Sequence, residues 1–347
     1  MSMKLEEFAR ESRATHKGDK SGVPIVGLEH LIPQEIKFSG YDVDTENTFT
    51  KTFKKGQILF GRRRAYLKKA AIADFDGICS GDITVIEAIP GKVDPLLLPF
   101  IIQNDKFFDY AVSRSAGGLS PRVKWEHLKD YEFDLPPIEE QRILADKLWA
   151  AYRLKESYKK LLTATQEMVK SQFIEMFGNP VTNTKGWKTA KIKDVAPEMP
   201  SKEQLSGKIW LLNLDMIESN TGRIIEKVYE DVENALSVQS FDEGNVLFSK
   251  LRPYLNKVVI PDEPGMATTE LVPLRPEPSK LHKVFLSHLL RGNQFVNYAN
   301  DIAGGTKMPR MPLTELRNFD CILPPMDKQL EFVFIAEQVD KSKLELK

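Results

Sequence analysis

Short runs of aliphatic and aromatic residues alternate with turn-forming residues over most of the first 135 residues. The runs are rich in Ile, Val, Leu and aromatic residues and are bounded by Gly, Pro and Asp, which is typical of strands joined by turns. They lie at 25–28, 57–60, 66–72, 83–89 and 131–135. A short helix is predicted at 4–10, and the apolar spacing at 96–113 predicts a longer one. The pattern indicates a mixed α+β domain.

The same order of elements recurs about 188 residues later. Segment 56–72 matches segment 244–260 with eight of 17 positions identical, and later Gly-Gly, Pro-Arg and Leu-Pro-Pro sequences recur at almost the same offset. The predicted strands of the second copy lie at 211–214, 245–248, 255–260, 270–274 and 319–323, and its predicted helices lie at 191–196 and 281–300. Each copy is long enough to bury its own core, so the chain is predicted to contain two related domains in tandem.

Between the copies the pattern changes to that of one long helix. Residues 138–177 contain no Gly or Pro, and apolar positions recur at alternating spacings of four and three, as in a coiled coil. The predicted seam is Leu144, Leu148, Ala151, Lys155, Tyr158, Leu162, Thr165, Val169, Gln172 and Met176. At about 1.5 Å per residue this helix is a rod of roughly 60 Å. Gly178 and Pro180 are expected to end it.

A second, shorter helix is predicted at the end of the chain, from 326 to 347. Its seam is Phe332, Ala336, Val339, Lys343 and Leu346, with Lys343 at the position of Lys155, which suggests a polar site that sets the register. The predicted order is a first globular domain at 1–135, a spacer helix at 136–180, a second domain at 181–323 and a second helix at 324–347. Antiparallel pairing of the helices would relate the domains by a pseudo-two-fold axis, the symmetry of duplex DNA.

Composition excludes several classes of protein. The chain has 347 residues, of which 41% are hydrophobic and 28% are charged, as expected for a soluble globular protein. The longest mostly apolar stretch, 96–102, is too short to span a membrane, and the charged N-terminus does not resemble a signal peptide, so a cytoplasmic location is expected. Cys79 and Cys321 form neither a disulfide framework nor a metal-binding pair and are interpreted as buried small residues.

Whole-chain charge is balanced at 49 basic and 49 acidic residues, but seven basic residues and no acidic one lie between 54 and 69. Such a cluster can bind phosphates, or it can protect a strand edge from aggregation. The candidate DNA contacts are Arg62, Arg63, Arg64, Tyr66, Lys68 and Lys69, with Lys250, Arg252, Tyr254, Asn256 and Lys257 in the second copy. The alternative for residues shared by the copies is that they pack the hairpin. Positions that differ are better candidates for base recognition, namely Arg62, Arg63, Lys250 and Asn256.

A glycine loop supplies a second group in each copy, at 115–122 and 302–310. Its candidate contacts are Arg114, Arg122, Lys307 and Arg310. A Gly-Gly pair allows the backbone to approach a surface closely, and nearby cations can bind phosphate. The alternative is a flexible connector with incidental charge. The recurrence of Pro-Arg after both loops favours a functional role.

The arrangement resembles the specificity subunit of type I restriction-modification enzymes. Two motifs carry the resemblance: Gly-Asn-Val-Leu-Phe-Ser-Lys-Leu-Arg-Pro-Tyr-Leu at 244–255 and Leu-Pro-Pro-Ile-Glu-Glu-Gln-Arg at 135–142. The resemblance implies two target-recognition domains, each binding one half of a bipartite, asymmetric site in double-stranded DNA. It also implies that the spacer helices set the gap between the halves and bind two methyltransferase subunits, which in turn recruit motor-nuclease subunits.

The sequence gives little support for a catalytic function. The sequences Leu-Pro-Pro-Ile at 135–138 and Leu-Pro-Pro-Met at 323–326 lack the polar residue of an adenine methyltransferase motif, and no glycine fingerprint for a cofactor or nucleotide accompanies them. His282 and His288 are six residues apart and do not share a helical face. We therefore expect a non-catalytic chain without a cofactor or metal. The alternative function is a coiled-coil scaffold with duplicated protein-interaction heads and no nucleic-acid partner.

The short second helix leads to one further expectation. An antiparallel partner of 22 residues would reach only to about Lys155, which would leave the face at 144–152 uncovered. Exposed apolar surface of this kind usually marks an interface. The predicted partner-binding residues are Leu144, Leu148, Trp149 and Tyr152. A methyltransferase subunit, the N-terminal segment or a second copy of the chain would cover them.

Overall fold

A computed structural model describes residues 2–202, 205–231 and 238–345, with side chains described through 339. The chain divides into two compact units, Met1–Glu156 and Ser157–Lys347. Helix α5 (Ile138–Phe177) has the predicted bounds, and it begins in the first unit and ends in the second. Both units mix helices with strands, which confirms the predicted α+β class.

The first unit contains nine strands and four helices before α5 within the described residues. The strands are β1 (Ser2–Lys4), β2 (Ala9–Ser12), β3 (Ile25–Val26), β4 (Lys51–Phe53), β5 (Ile58–Gly61), β6 (Ala70–Ile72), β7 (Gly77–Cys79), β8 (Ile83–Ala88) and β9 (Glu132–Asp134). The helices are α1 (Leu5–Phe8), α2 (Leu98–Ile102), α3 (Asp105–Ser113) and α4 (Trp125–Leu128). The sheets have the strand orders β2-β8-β5-β6, β3-β7-β4 and β1-β9.

The second unit repeats this plan. Its described strands are β10 (Thr189–Lys191), β11 (Lys208–Leu212), β12 (Val228–Asp231), β13 (Val238–Phe241), β14 (Val246–Ser249), β15 (Val258–Val259), β16 (Gly265–Thr268), β17 (Leu271–Leu274) and β18 (Asp320–Ile322). Its helices are α6 (Ile192–Val195), α7 (Lys283–Arg291), α8 (Asn293–Asp301), α9 (Leu313–Asn318) and α10 (Met326–Glu345). The sheets have the orders β12-β11-β16-β13, β15-β14-β17 and β10-β18.

Strand pairing shows that the sequence repeat is also a structural repeat. A parallel pair, β3 with β7, recurs as β11 with β16, and a central antiparallel strand, β5 between β6 and β8, recurs as β14 between β15 and β17. Each unit closes by pairing its first strand with its last, Ser2 opposite Asp134 and Thr189 opposite Ile322. Aromatic side chains fill the equivalent positions beneath the central strand, where Phe60 stacks on Phe108 and the ring of Phe248 lies edge-on to that of Phe295.

Several predicted elements are wrong in detail, and each error has a local cause. The strand predicted at 66–72 begins with a 3-10 turn at Ala65–Leu67, and only residues 70–72 pair as a strand. The helix predicted at 96–113 is two helices, because the side chain of Asn104 caps a new helix by accepting the backbone N–H of Lys106. The helix predicted at 281–300 likewise breaks at Gly292, between α7 and α8.

A buried glutamine joins the start of each long helix to its own domain. Gln141 and Gln329 are 2% and 0% exposed and occupy the same position after the Leu-Pro-Pro sequences. The side-chain oxygen of Gln141 accepts the N–H of Asp94 at 3.0 Å, and that of Gln329 accepts the N–H of His282 at 2.9 Å. Each side-chain amide donates to the carbonyl five residues earlier, at 2.9 Å in both copies. The junction therefore fixes the helix start with buried, satisfied hydrogen bonds.

The predicted seam of α5 is wrong over its last turns. The buried residues are Val169, Phe173 and Phe177, whereas Gln172 and Met176 of the predicted seam are only half-buried. Phe173 and Phe177 belong to the core of the second unit and both contact the ring of Phe332 in α10, at 5.2 and 5.8 Å. These buried residues are four apart, so they form one apolar face of the helix that packs against the core of a globular domain. The side chain of Lys343 and residue Leu346 lie outside the described part.

The expectation that the face at 144–152 is uncovered is also wrong for most of its length. Leu148 packs against the first unit's core, and Tyr152 is 9% exposed. The indole N–H of Trp149 donates to the carbonyl of Leu96 at 2.8 Å, and its ring meets that of Phe100 edge-on. Of the four predicted partner-binding residues, only Leu144 is exposed, at 40%. The segment before and within α2 covers this face because it belongs to the same unit.

Leu148→Asp is therefore expected to destabilise the first unit itself. Placing a carboxylate against an apolar core without a partner should lower the free energy of unfolding by about 2 kcal/mol or more. Leu144→Asp is the matched control at an exposed position of the same helix and should change it by no more than about 0.5 kcal/mol. Urea denaturation of the full chain measures both, and equal stability of the two variants would contradict the observed packing.

Candidate nucleic-acid interface

The basic segment of each copy forms a tight turn rather than a simple hairpin. A 3-10 turn, Ala65–Leu67 in the first copy and Pro253–Leu255 in the second, is flanked on both sides by residues with φ between 48° and 53°. Those residues are Arg64 and Lys68 in the first copy and Arg252 and Asn256 in the second. Side chains other than glycine rarely adopt this conformation. The turn leaves Tyr66 and Tyr254 about half exposed, at 53% and 48%.

The glycine loop docks against this turn in both copies. The backbone N–H of Arg64 donates to the carbonyl of Pro121 at 2.8 Å, and the N–H of Val123 donates to the carbonyl of Arg62 at 3.0 Å. The second copy repeats both bonds, from Arg252 to Pro309 at 2.7 Å and from Met311 to Lys250 at 2.9 Å. The fold thus brings together, within each unit, the two groups of candidate residues that are far apart in the sequence.

A carboxylate that was not among the predicted site residues holds each loop in place. Asp82 accepts Nε and Nη2 of Arg122 at 2.6 and 3.2 Å, and Glu270 accepts the same two atoms of Arg310 at 3.1 and 3.0 Å. Arg63 adds a contact to Asp82 at 3.4 Å. The hydrogen bond from Arg122, together with the charges of both arginines, holds the pKa of the Asp82 carboxyl below its ordinary value.

Four candidate residues are used inside the domains. Lys69 and Lys257 donate from Nζ to the carbonyls of Leu28 and Leu214, at 2.8 and 2.6 Å. Lys68 pairs with Asp105 at 2.6 Å, and this bond raises the pKa of the lysine. Asn256 is 4% exposed, and its amide donates to the carbonyl of Arg291 at 2.9 Å. These contacts favour a structural role, above all for the buried Asn256.

The remaining cations are oriented toward the surface to different degrees. Arg64, Arg114 and Lys307 are exposed, and the Arg114 guanidinium lies 5.2 Å from the ring centre of Tyr110. Arg62, Lys250 and Arg252 are half-buried. Nε of Arg62, Arg63 and Arg252 is buried without a hydrogen-bond partner in the described part of the chain. Buried Nε donors do not face a ligand, whereas the exposed cations Arg64, Arg114 and Lys307 beside the locked loops are suited to bind phosphate or base edges.

The sequence contains a pattern from which the two loop-binding carboxylates could have been predicted. Asp82 and Glu270 are separated by the same offset as the rest of the repeat and precede equivalent strands. An acidic residue close to a predicted basic surface argues against nucleic-acid contact when it is read alone. Only the paired arginines on the loop explain why an acid recurs at this place.

One other group in the described residues could hold a cation. Glu29, His30 and Asp42 each place one ligand atom within 4.8 Å of the others. Nδ1 of His30 already accepts the backbone N–H of Gly27 at 2.9 Å, and Nε2 lies 3.6 Å from Asp42. The carboxylates are exposed, and these contacts account for the geometry without a metal ion. In the same described residues, no helix is both long and apolar enough to cross a membrane.

The model of the family described as "Type I restriction modification DNA specificity domain" matches this chain twice, at residues 8–164 and 184–347. The chain belongs to this family. Specificity subunits of type I systems are non-catalytic. The double match follows the duplication seen in the sequence and in the strand pairing, and it confirms the resemblance stated on the motifs.

Two curated relatives carry the same designation. The chain is 24% identical over 262 residues to the type I restriction enzyme EcoDI specificity subunit of Escherichia coli, covering 64% of this chain and 58% of the relative. It is 23% identical over 203 residues to a putative type I restriction enzyme MjaX specificity subunit of Methanocaldococcus jannaschii, covering 55% and 47%. The chain thus spans about half the length of the curated relatives it matches.

Solved structures support the same fold. The type I restriction-modification S subunit from M. genitalium matches with a TM-score of 0.57 at 13% identity, over 100% of this chain and 91% of that one. A chain from a study of complex assembly and conformational transition in a type I system matches with a TM-score of 0.51 at 18% identity, over 100% and 91%. At these identities the matches concern the fold alone.

Asp82→Asn tests whether the carboxylate locks the loop. Because the folded-state pKa of Asp82 is lowered, its stabilisation is present above the unfolded carboxyl pKa of about 3.9 and is lost as pH falls through the lower folded value. The variant should unfold about 1 kcal/mol more easily at neutral pH, and the difference should shrink in acid. Asp74→Asn, at an exposed position, is the control. Denaturation across pH checks this, and a difference independent of pH would contradict it.

Proposed function

We propose that this chain is the DNA-recognition subunit of a type I restriction-modification complex and binds a bipartite, asymmetric site in double-stranded DNA. One observation carries the proposal: a basic turn and a glycine loop, locked together by an acid–arginine pair, are built twice in a chain of the specificity family. Each copy would contact one half-site. Residues that the copies share would form the scaffold, and residues that differ would read the bases.

The assembly around the chain is part of the same proposal. Residues 1–135 and 181–323 would be the two target-recognition domains, and the helices at 136–180 and 324–347 would pair antiparallel as a coiled coil. Contact between Phe173 and Phe332 supports pairing near the end of α5. Two methyltransferase subunits would dock on the helices and recruit motor-nuclease subunits. The chain would need no cofactor of its own and would work in the cytoplasm.

The alternative is a protein-interaction scaffold with duplicated heads. It predicts no particular charge at the loop and turn of both copies. Arg64 and Arg114 in the first unit are exposed cations, and Lys307 is an exposed cation in the second. The recurrence of cations at both locked loops favours DNA.

Sequencing of DNA methylation in cells with and without this chain tests the function. We expect one asymmetric, two-part motif to lose methylation when the chain is deleted. Replacing residues 23–135 by those of a relative should change only one half of that motif. A change in both halves, or a purified chain that transfers methyl groups from S-adenosylmethionine without other subunits, would contradict the proposal.

Arg64→Ala and Arg252→Ala are expected to weaken DNA binding in the same way in the two domains. Each removes a cation beside a locked loop, so the slope of log affinity against log salt should fall by about 1 for each lost phosphate contact. Fluorescence anisotropy with a duplex carrying the methylated motif measures this over a range of salt concentrations. Lys188→Ala, away from the turn and loop in sequence, is the charge-matched control. Unchanged affinity of both arginine variants would exclude the turns as contacts.

A further inference from the structure

The tip of the first glycine loop carries the most exposed large apolar side chain of the described residues. Leu119 is 96% exposed, whereas the next, Phe334, is 65% exposed. Single exposed apolar residues are common on soluble proteins and need no explanation by themselves. What distinguishes Leu119 is the rigid support and the charge that surround it.

The loop that presents Leu119 is closed at its base. Ala116 and Arg122 exchange two backbone hydrogen bonds, both 2.9 Å long. Gly117 has a φ of +115°, a conformation that glycine adopts without strain, and Gly118 has open space where a Cβ would lie. With Arg122 bound to Asp82, the base of the loop is fixed. The leucine therefore projects from a narrow, supported tip.

Cations lie immediately beside this tip. The hydroxyl of Ser120, the residue after Leu119, accepts Nη2 of Arg63 at 3.0 Å and Nη2 of Arg64 at 3.5 Å. Arg64 is exposed. Within the described residues no neighbour buries Leu119, and the guanidinium groups beside the tip attract a phosphate backbone. Proteins that bind DNA grooves insert apolar side chains, leucine among them, between or against bases while cations hold the phosphates.

The second domain provides an internal comparison. Its loop is closed by the equivalent pair, Gly304 and Arg310, with hydrogen bonds of 3.1 and 2.9 Å. In this register the position of Leu119 is taken by the exposed Lys307. At this position the same backbone scaffold thus presents an apolar side chain in one domain and a cation in the other, where Met308 beside it is 45% exposed.

We propose that Leu119 is an apolar wedge that contacts the bases of the half-site bound by the first domain, and that Lys307 at the equivalent tip contacts phosphate. The inference rests on the proposed function and assigns to one residue a base contact that depends on burial rather than charge. Removing the side chain at the loop tip would then change the salt dependence of binding in the second domain and not in the first.

Leu119→Ser and Lys307→Ala form the test, with the full chain measured alone and with its cognate methyltransferase subunits. The probe is a duplex carrying the methylated motif, with 2-aminopurine placed in turn along the first half-site. Leu119→Ser should weaken binding about tenfold or more, because burying a leucine corresponds to roughly that factor, and should leave the salt slope unchanged. Lys307→Ala should lower the slope by about 1. The change in 2-aminopurine fluorescence on binding, which reports contact with the bases, should be lost only in Leu119→Ser.

Control variants separate the outcomes. Leu119→Met should retain binding, and Ile225→Ser, at another exposed aliphatic residue, should leave binding unchanged. If the original chain binds the duplex but Leu119→Ser binds equally well, the wedge is wrong and the proposed function stands. If Leu119→Ser instead weakens only the association with methyltransferase subunits, the side chain faces protein and the wedge is also wrong. If the original chain and its complex bind no duplex, the proposed function fails.

Discussion

The ion pair between a carboxylate and a loop arginine is the interaction on which each candidate DNA surface depends. Asp82 accepts two hydrogen bonds from Arg122 and also contacts Arg63, and Glu270 accepts hydrogen bonds from the same two atoms of Arg310. Like charges crowded at a turn repel one another, so a segment as basic as 62–64 needs a counter-charge to hold one shape. The acids pair with Arg122 and Arg310 of the loops, while Arg64, Arg114 and Lys307 stay exposed beside them. The effect of the pairing is to fix the surface that those cations present.

Duplication explains how one scaffold can present two chemistries. The turns with φ near +50°, the lysines that bind the carbonyls of Leu28 and Leu214, and the acid–arginine pairs recur in both units. The side chains on that scaffold differ, with Leu119 against Lys307 at the loop tip and Arg63 against Leu251 in the turn. A backbone held by its own hydrogen bonds tolerates such exchanges, because the bonds that dock the loop on the turn join backbone atoms in both copies. Under the proposed function, the two half-sites are expected to differ in sequence.

The long helix is positioned by the domains at its ends. Gln141 ties its start to the first unit, and Val169, Phe173 and Phe177 place its end in the core of the second. Gln329 repeats the first junction at the start of α10. Since a buried, satisfied amide is costly to disrupt, the direction of each helix is fixed relative to its own domain.

The sequence by itself determined the duplication, the α+β class, the bounds of the long helix and the family, because these depend on periodicity and on repeated local patterns. It also predicted the two basic segments of each copy. It did not predict that these segments touch, that Asp82 and Glu270 lock them, or that Asn256 is buried while Leu119 is exposed. Nor did it predict that Trp149 and Tyr152 are covered by the first domain. Those outcomes depend on contacts between residues distant along the chain, and a pattern of polar and apolar positions carries no information about which distant partner fills a given face. Only the tertiary structure decided them.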